Sequence, residues 1–168
     1  FKEIDHIVFT GMGGSGTIGD MFSSILSKSN IHVSVVRGYL LPSTVDSNSL
    51  IVSTSISGNT SETLNILHSA KKKNCKIIAI SSGGKMENYC KKNNVNFRKI
   101  TKRHSPRASF AGFMYSLLKI LNPILPIKEV EIKESLTELT KLRSKIYSGN
   151  LLDNNPSLNL AHTINGIP

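Results

Sequence analysis

Tryptophan is absent from this chain, and its four tyrosines and six phenylalanines are not interleaved with basic residues. A stacking platform for single-stranded nucleic acid therefore has little to be built from. Cysteine occurs only at Cys75 and Cys90, without metal-ligand spacing or a histidine cluster, which argues against a disulfide scaffold and against structural zinc. Long apolar runs are also missing. Stretches such as Ile77–Ile80 fall far short of the roughly 20 residues that span a bilayer, so no membrane partner is expected. No basic segment leads into an apolar stretch as in a signal peptide, and a first residue of Phe rather than Met suggests an incomplete N-terminus. A soluble, cytoplasmic protein is the expectation. Acidic residues are scarce, 11 against 21 Lys and Arg, for a formal charge of +10. The basic residues are scattered, apart from Lys71–Lys73 near a helix end where cations suit the dipole. That distribution favours a solvated surface or a small anionic substrate over nucleic acid.

What is present is an alternation of short β-branched runs with helical segments. Residues 5–10, 31–36, 50–54, 76–80 and 95–99 read as strands, three of them nearly continuous apolar runs as in strands buried on both faces. Residues 17–27, 60–73, 85–92 and 109–121 read as helices. Such alternation predicts an α/β fold: a three-layer α/β/α domain over residues 1–127, with a parallel sheet of about five strands. Pro42 makes the stretch 38–49 a loop or a broken helix. Beyond Pro123, Ile132, Leu136, Leu139, Leu142 and Ile146 recur at helical spacing among Lys and Glu. This predicts one long amphipathic connecting helix over 128–149, ending near Gly149. Residues 150–168 carry a helix start at Asn155-Pro156 and read as the interrupted beginning of a further domain.

Ligands of open parallel sheets bind beyond the carboxyl ends of the strands. Two loops there stand out. Gly11-Met12-Gly13-Gly14-Ser15-Gly16 follows the first strand and spells the dinucleotide fingerprint GxGxxG, with Arg37 at the end of the second strand able to meet a 2′-phosphate. An NADP-dependent oxidoreductase is therefore one reading, although glycine turns serve any ligand that needs close backbone approach. The second loop, Ser53 to Thr63, concentrates hydroxyls and backbone donors at a helix N-terminus, where orphan N–H groups and the macrodipole attract an anion. Ser57, Gly58 and Asn59 can turn tightly, and Thr60 can cap the helix while pointing its hydroxyl at the bound group. Such a cradle suits a phosphate monoester. The alternative is that these serines and threonines only cap the helix.

At these residues the chain resembles the sugar-isomerase (SIS) family, whose phosphosugar motif has the form S-x-S-G-x-T. Ser55-Ile56-Ser57-Gly58-Asn59-Thr60 fits it at every specified position, and Gly13 to Gly16 resembles the family's sugar-contacting turn. Within that family the chain is similar to the bifunctional phosphoglucose/phosphomannose isomerases. The likeness runs through Val36-Arg37-Gly38-Tyr39 with Pro42, Ser82-Gly83-Gly84-Lys85, Pro106-Arg107-Ala108, Asn155-Pro156 and Asn165 to Pro168. The resemblance implies interconversion of fructose 6-phosphate with glucose 6-phosphate or mannose 6-phosphate through an enediolate, with no metal and no cofactor. It further implies phosphate contacts from Ser55, Ser57 and Thr60, sugar contacts near Gly14 and Ser15, and a catalytic Arg107 beside the reacting carbons. The family's base, a Glu, and its ring-opening His belong to a second domain with no matching positions in this chain. A homodimer is implied for the intact protein, with a hexose 6-phosphate as its partner molecule. His104 and Glu62 receive no catalytic role. A non-catalytic phosphosugar-sensing module of the same family is the alternative.

Overall fold

β-Branched and apolar runs at regular intervals pair side by side into one sheet. The structure is a computed structural model and describes residues 4–152 and 154–165. Strands β1 (His6–Thr10), β2 (His32–Val36), β3 (Ser49–Ser55), β4 (Lys76–Ser81) and β5 (Asn96–Lys99) are all parallel, in the order β2-β1-β3-β4-β5. Each lies within about a residue of its expected span. β1 and β3 are buried along their whole length, which explains the apolar runs Ile7–Phe9 and Leu50–Val52 at their centres.

Side chains in register point to the same face of a sheet, and successive ones alternate. Val8, Ile51 and Ile77 are in register and meet Ile66, Leu67 and Ala70 of α2 (Ser61–Lys72) and Met86 and Cys90 of α3 (Gly84–Lys92) in one core. Burial there pushes the Cys90 thiol up to about 11, which leaves it a packing group. The alternate residues Phe9, Val52 and Ile80 face the other way. On that side lie α1 (Gly14–Leu26) and α4 (Phe110–Leu121), with Phe9 stacked on Phe22 at 5.4 Å between ring centroids. The result is the three-layer arrangement that alternation predicts. Gly19 lets α1 approach the sheet, since a Cβ there would stand 2.9 Å from Phe9 Cβ and 3.0 Å from Val35 Cγ1.

One local expectation needs correction. α1 starts at Gly14 and not at Thr17, because the first-turn N–H groups of a helix need no intrahelical partners, so glycine costs little there. The stretch 37–48 is a loop, the first of its two expected forms, with Val45 buried within it. α4 is preceded by a 3₁₀ turn at Arg107–Ser109.

The chain divides into two compact units, residues 1–126 and 127–168. The second holds α5 (Glu129–Ile146) and α6 (Pro156–Ile164). α5 carries the expected stripe, with Leu136, Leu139, Leu142 and Ile146 exposed and none of its residues buried. α6 begins as its sequence predicts: Asn155 accepts hydrogen bonds from the Ser157 and Leu158 backbones at 3.0 and 3.2 Å, and Pro156 opens the helix. No helix among the described residues is long and apolar enough to cross a membrane.

Candidate active site

Chain order along the sheet reverses at β1 and β3: the chain leaves β1 towards β2 and leaves β3 towards β4. Their following helices lie on opposite faces, which opens a crevice between the two loops at the carboxyl edge. A cavity of about 620 Å³ occupies it. Gly14 and Ser15 reach it from the first loop, Ser57 and Thr60 from the second, and Lys102 and Arg107 from the segment after β5. Met12, Ile18, Ile56 and Phe110 supply apolar wall. Residues nearly a hundred positions apart thus share one cavity, and five of the six expected site residues line it.

The sixth, Ser55, lies beneath the loop. Its side chain is buried, its Oγ accepts the Gly58 N–H at 3.1 Å, and it stands 2.9 Å from Thr60 Oγ1. Thr60 occupies the cap position of α2, but its hydroxyl makes no capping bond and meets Ser55 instead. The expectation that Thr60 caps the helix with its side chain is therefore corrected. The physical reason is the buried Ser55 hydroxyl, a competing partner that the tight turn brings within reach.

Ser57 to Asn59 form that tight turn, with Gly58 at φ +67°. A Cβ at Gly58 would lie 1.8 Å from the carbonyl oxygen of Gly83. The Ser82-Gly83-Gly84-Lys85 segment, running from the end of β4 into the first turn of α3, is packed against the back of the loop. Met86 N donates to Gly58 O at 2.8 Å, Ser82 N to Ile56 O at 3.2 Å, and Lys85 N to Asn59 Oδ1 at 3.0 Å. Glycine at 84, φ +72°, is required for the same closeness, since its Cβ would stand 2.5 Å from Ser57 O. The first loop is joined to the second from the other side. Thr54 Oγ1 lies 3.1 Å from Thr10 O and 3.2 Å from Ser15 O, sharing its proton between two carbonyls. Gly11 has no room for a side chain against Thr54.

No carboxylate or imidazole lines the cavity among the described residues. Lys102 and Arg107 have no ion-pair partner among them, so the cavity carries net positive charge. Arg37, in contrast, pairs with Asp20 on α1 and lies over Gly16, so its charge is already met. The strand order also differs from the 3-2-1-4-5-6 order of dinucleotide folds. Lys102 and the glycine brace escaped the sequence reading. For Lys102 the available signal was its place three residues beyond β5, at the ligand-binding edge. His104 and Glu62 do not line the cavity.

Comparison with known proteins agrees with this geometry. Residues 1–121 match the model of the SIS domain. The chain is 38% identical over 148 residues to the bifunctional phosphoglucose/phosphomannose isomerase of Caldicellulosiruptor bescii, covering 86% of this chain and 43% of that protein. It is 39% identical over 145 residues to the Aquifex aeolicus protein of the same name, covering 83% and 44%. The chain therefore spans under half the length of these curated relatives. Glucosamine-6-phosphate deaminase from Thermotoga maritima shares the fold, with a TM-score of 0.66 at 19% identity, covering 85% of this chain and 47% of that one. Five parallel strands in this order, a glycine turn, an S-x-S-G-x-T loop and the match over 121 residues lead to one conclusion: this chain belongs to the SIS domain family, with isomerases of phosphosugars among its relatives.

Proposed function

We propose that this chain is the phosphosugar-binding half of an aldose–ketose isomerase that interconverts fructose 6-phosphate with glucose 6-phosphate, mannose 6-phosphate or both. The observation that carries this reading is the one cavity gathering Gly14, Ser15, Ser57, Thr60 and Arg107, with cations unpaired and no carboxylate or imidazole in its lining among the described residues. Ser57 and Thr60, with the N-terminus of α2, hold the phosphate dianion. Because the Gly58 N–H donates to Ser55 Oγ, the Ser55 proton is free to go to Thr60, which leaves the Thr60 proton for the ligand. Gly14 and Ser15 contact the sugar. Arg107 faces the carbonyl-derived oxygen. Negative charge grows there as the enediolate forms, so a fixed guanidinium stabilises the transition state more than the substrate.

Isomerisation also needs a base within about 3 Å of the transferred proton. Residues outside the described cavity must supply it, together with the acid that opens the sugar ring. The intact protein in this reading is a cytoplasmic homodimer and needs neither metal nor cofactor. A cavity without a base would equally serve a phosphosugar-sensing module. An isomerase assay on the full-length protein with fructose 6-phosphate separates the two: formation of an aldose 6-phosphate supports the proposal, and binding without turnover supports the sensor.

A further inference from the structure

Residues 88–128 contain no Asp or Glu but nine Lys and Arg. Glu87, just before them, is held below the usual carboxylate range by hydrogen bonds from Lys91 and Lys99, at 2.8 and 3.0 Å. Among the described residues, Arg98, Lys102, Arg103 and Arg107 have no such partner. Lys102 and Arg107 line the cavity already described. Arg98 and Arg103 line another, of about 370 Å³, between the open edge of β5 and α4. The two cavities share no lining residue.

Register explains the separation. Arg98 pairs with Ile80 and so faces the α4 side, whereas Phe97 pairs with Ala79 and packs towards α2 and α3. Lys102 and Arg103 are adjacent, and they line opposite sides of one segment. Ala108, Ala111 and Gly112 leave the second cleft open, and Ser116 offers a hydroxyl with no hydrogen bond among the described residues. The Arg103 backbone is held at the cleft by its N–H, which donates to the buried Ser109 Oγ at 3.0 Å, and its side chain is exposed. No carboxylate among the described residues lines the cleft, and Lys99, which does, is already paired with Glu87. Two guanidinium groups with no counter-charge beside a free hydroxyl match a tetrahedral oxyanion, since the planar fork of Arg fits phosphate oxygens in pairs.

We propose that the β5–α4 cleft is a second anion site, distinct from the sugar cavity, that takes a phosphate dianion either free or as the end of a small monoester. Backbone amide NMR on the chain during titration with inorganic phosphate tests it residue by residue. The Arg103, Gly112 and Ser116 amides should shift on one saturable isotherm, and Gly14 and Ser57 on another. Arg98→Ser/Arg103→Ser should weaken the first about tenfold or more and leave the second in place. Arg98→Lys/Arg103→Lys, which keeps the charge and loses the forks, should weaken the first by less. Lys71→Ser/Lys72→Ser removes equal charge elsewhere and should change neither isotherm beyond about twofold. A parallel titration with methyl phosphate assigns the source: equal or tighter binding marks a monoester site, and exclusion marks a site for the free ion. Three results overturn the proposal: no saturable shift at Gly112 and Ser116, a shift that survives Arg98→Ser/Arg103→Ser, or one lost equally in Lys71→Ser/Lys72→Ser.

Discussion

The loop after β3 and the segment after β5 reach the same cavity by different constructions. The first is clamped: its Gly58 carbonyl, Ile56 carbonyl and Asn59 side chain all accept bonds from the β4–α3 segment, and Ser55 and Gly58 are buried. The second is exposed at Thr101 to His104 and at Pro106 to Ala108, and is tied mainly to itself through Ser105 and Ser109. In the proposed reaction the clamped loop holds a group that does not change during chemistry. The open segment carries the charge that must meet a developing oxyanion. Rigid support suits the phosphate, and the Arg107 guanidinium of the more exposed segment must be held in place by the substrate it meets before it stabilises the developing charge.

The largest expected effect comes from breaking the clamp. Gly58→Ala combines positive φ with a collision against Gly83 O, so a loss of about 3 kcal/mol or more is expected in denaturant unfolding. Gly112→Ala, in the helix behind the open segment, meets only Ile100 Cγ2 at 3.5 Å and should stabilise by about 0.5–1 kcal/mol. Equal losses would remove the contrast between the two regions. Next, Arg107→Ala in the full-length protein should lower kcat by on the order of 10² to 10³ with a smaller change in KM. Arg107→Lys should recover little, because a point charge lacks the planar fork. A change in KM alone would mark Arg107 as a phosphate contact.

Within the clamped loop, Ser55→Ala removes one of the two acceptors of the Gly58 N–H, leaving the Ser55 carbonyl at 3.2 Å, and also removes the partner of Thr60 Oγ1, so it should cost about 1–2 kcal/mol of stability. The exposed Ser57→Ala should leave stability within about 0.5 kcal/mol. Thermal unfolding of the pair checks whether support and ligand contact are separate duties. The smallest effect lies at the amino end of the sheet. Burial and the neighbouring His32 hold the His6 pKa below its ordinary 6.5, against the opposing pull of Asp5, Asp46 and the Thr44 backbone. The unfolded chain therefore binds a proton first as pH falls, so the stability this histidine contributes is present above about 6.5 and declines below it. His6→Gln should flatten the stability profile between pH 7 and 5, and an unchanged slope would remove this assignment.

Strand positions were legible in β1, β3 and β4 because the apolar runs Ile7–Phe9, Leu50–Val52 and Ile77–Ile80 are largely buried there, whereas the polar and mostly exposed β5 was legible chiefly through its place in the alternation. The S-x-S-G-x-T loop stood out through its pairing with the first glycine loop and its resemblance to the family motif, since hydroxyls at a helix start by themselves also serve as caps. The brace was not: Gly83 and Gly84 matter through contact with a loop some 25 residues away, and no local pattern announces such a meeting. The resemblance implies a phosphate contact for Ser55, and spacing alone does not show that its hydroxyl turns beneath the loop towards Gly58 and Thr60. Lys102 and Arg103 looked alike in sequence, and only the structure separates them into two cavities.

The most direct test of the phosphosugar assignment is calorimetric titration of the chain with fructose 6-phosphate and with fructose. Charge-assisted hydrogen bonds are worth roughly 1.5–3 kcal/mol each, so Ser57→Ala and Thr60→Ala should each weaken fructose 6-phosphate binding about tenfold or more. Unphosphorylated fructose should bind poorly to every variant. Wild-type affinity for fructose 6-phosphate in both variants would contradict the cradle as the phosphate site.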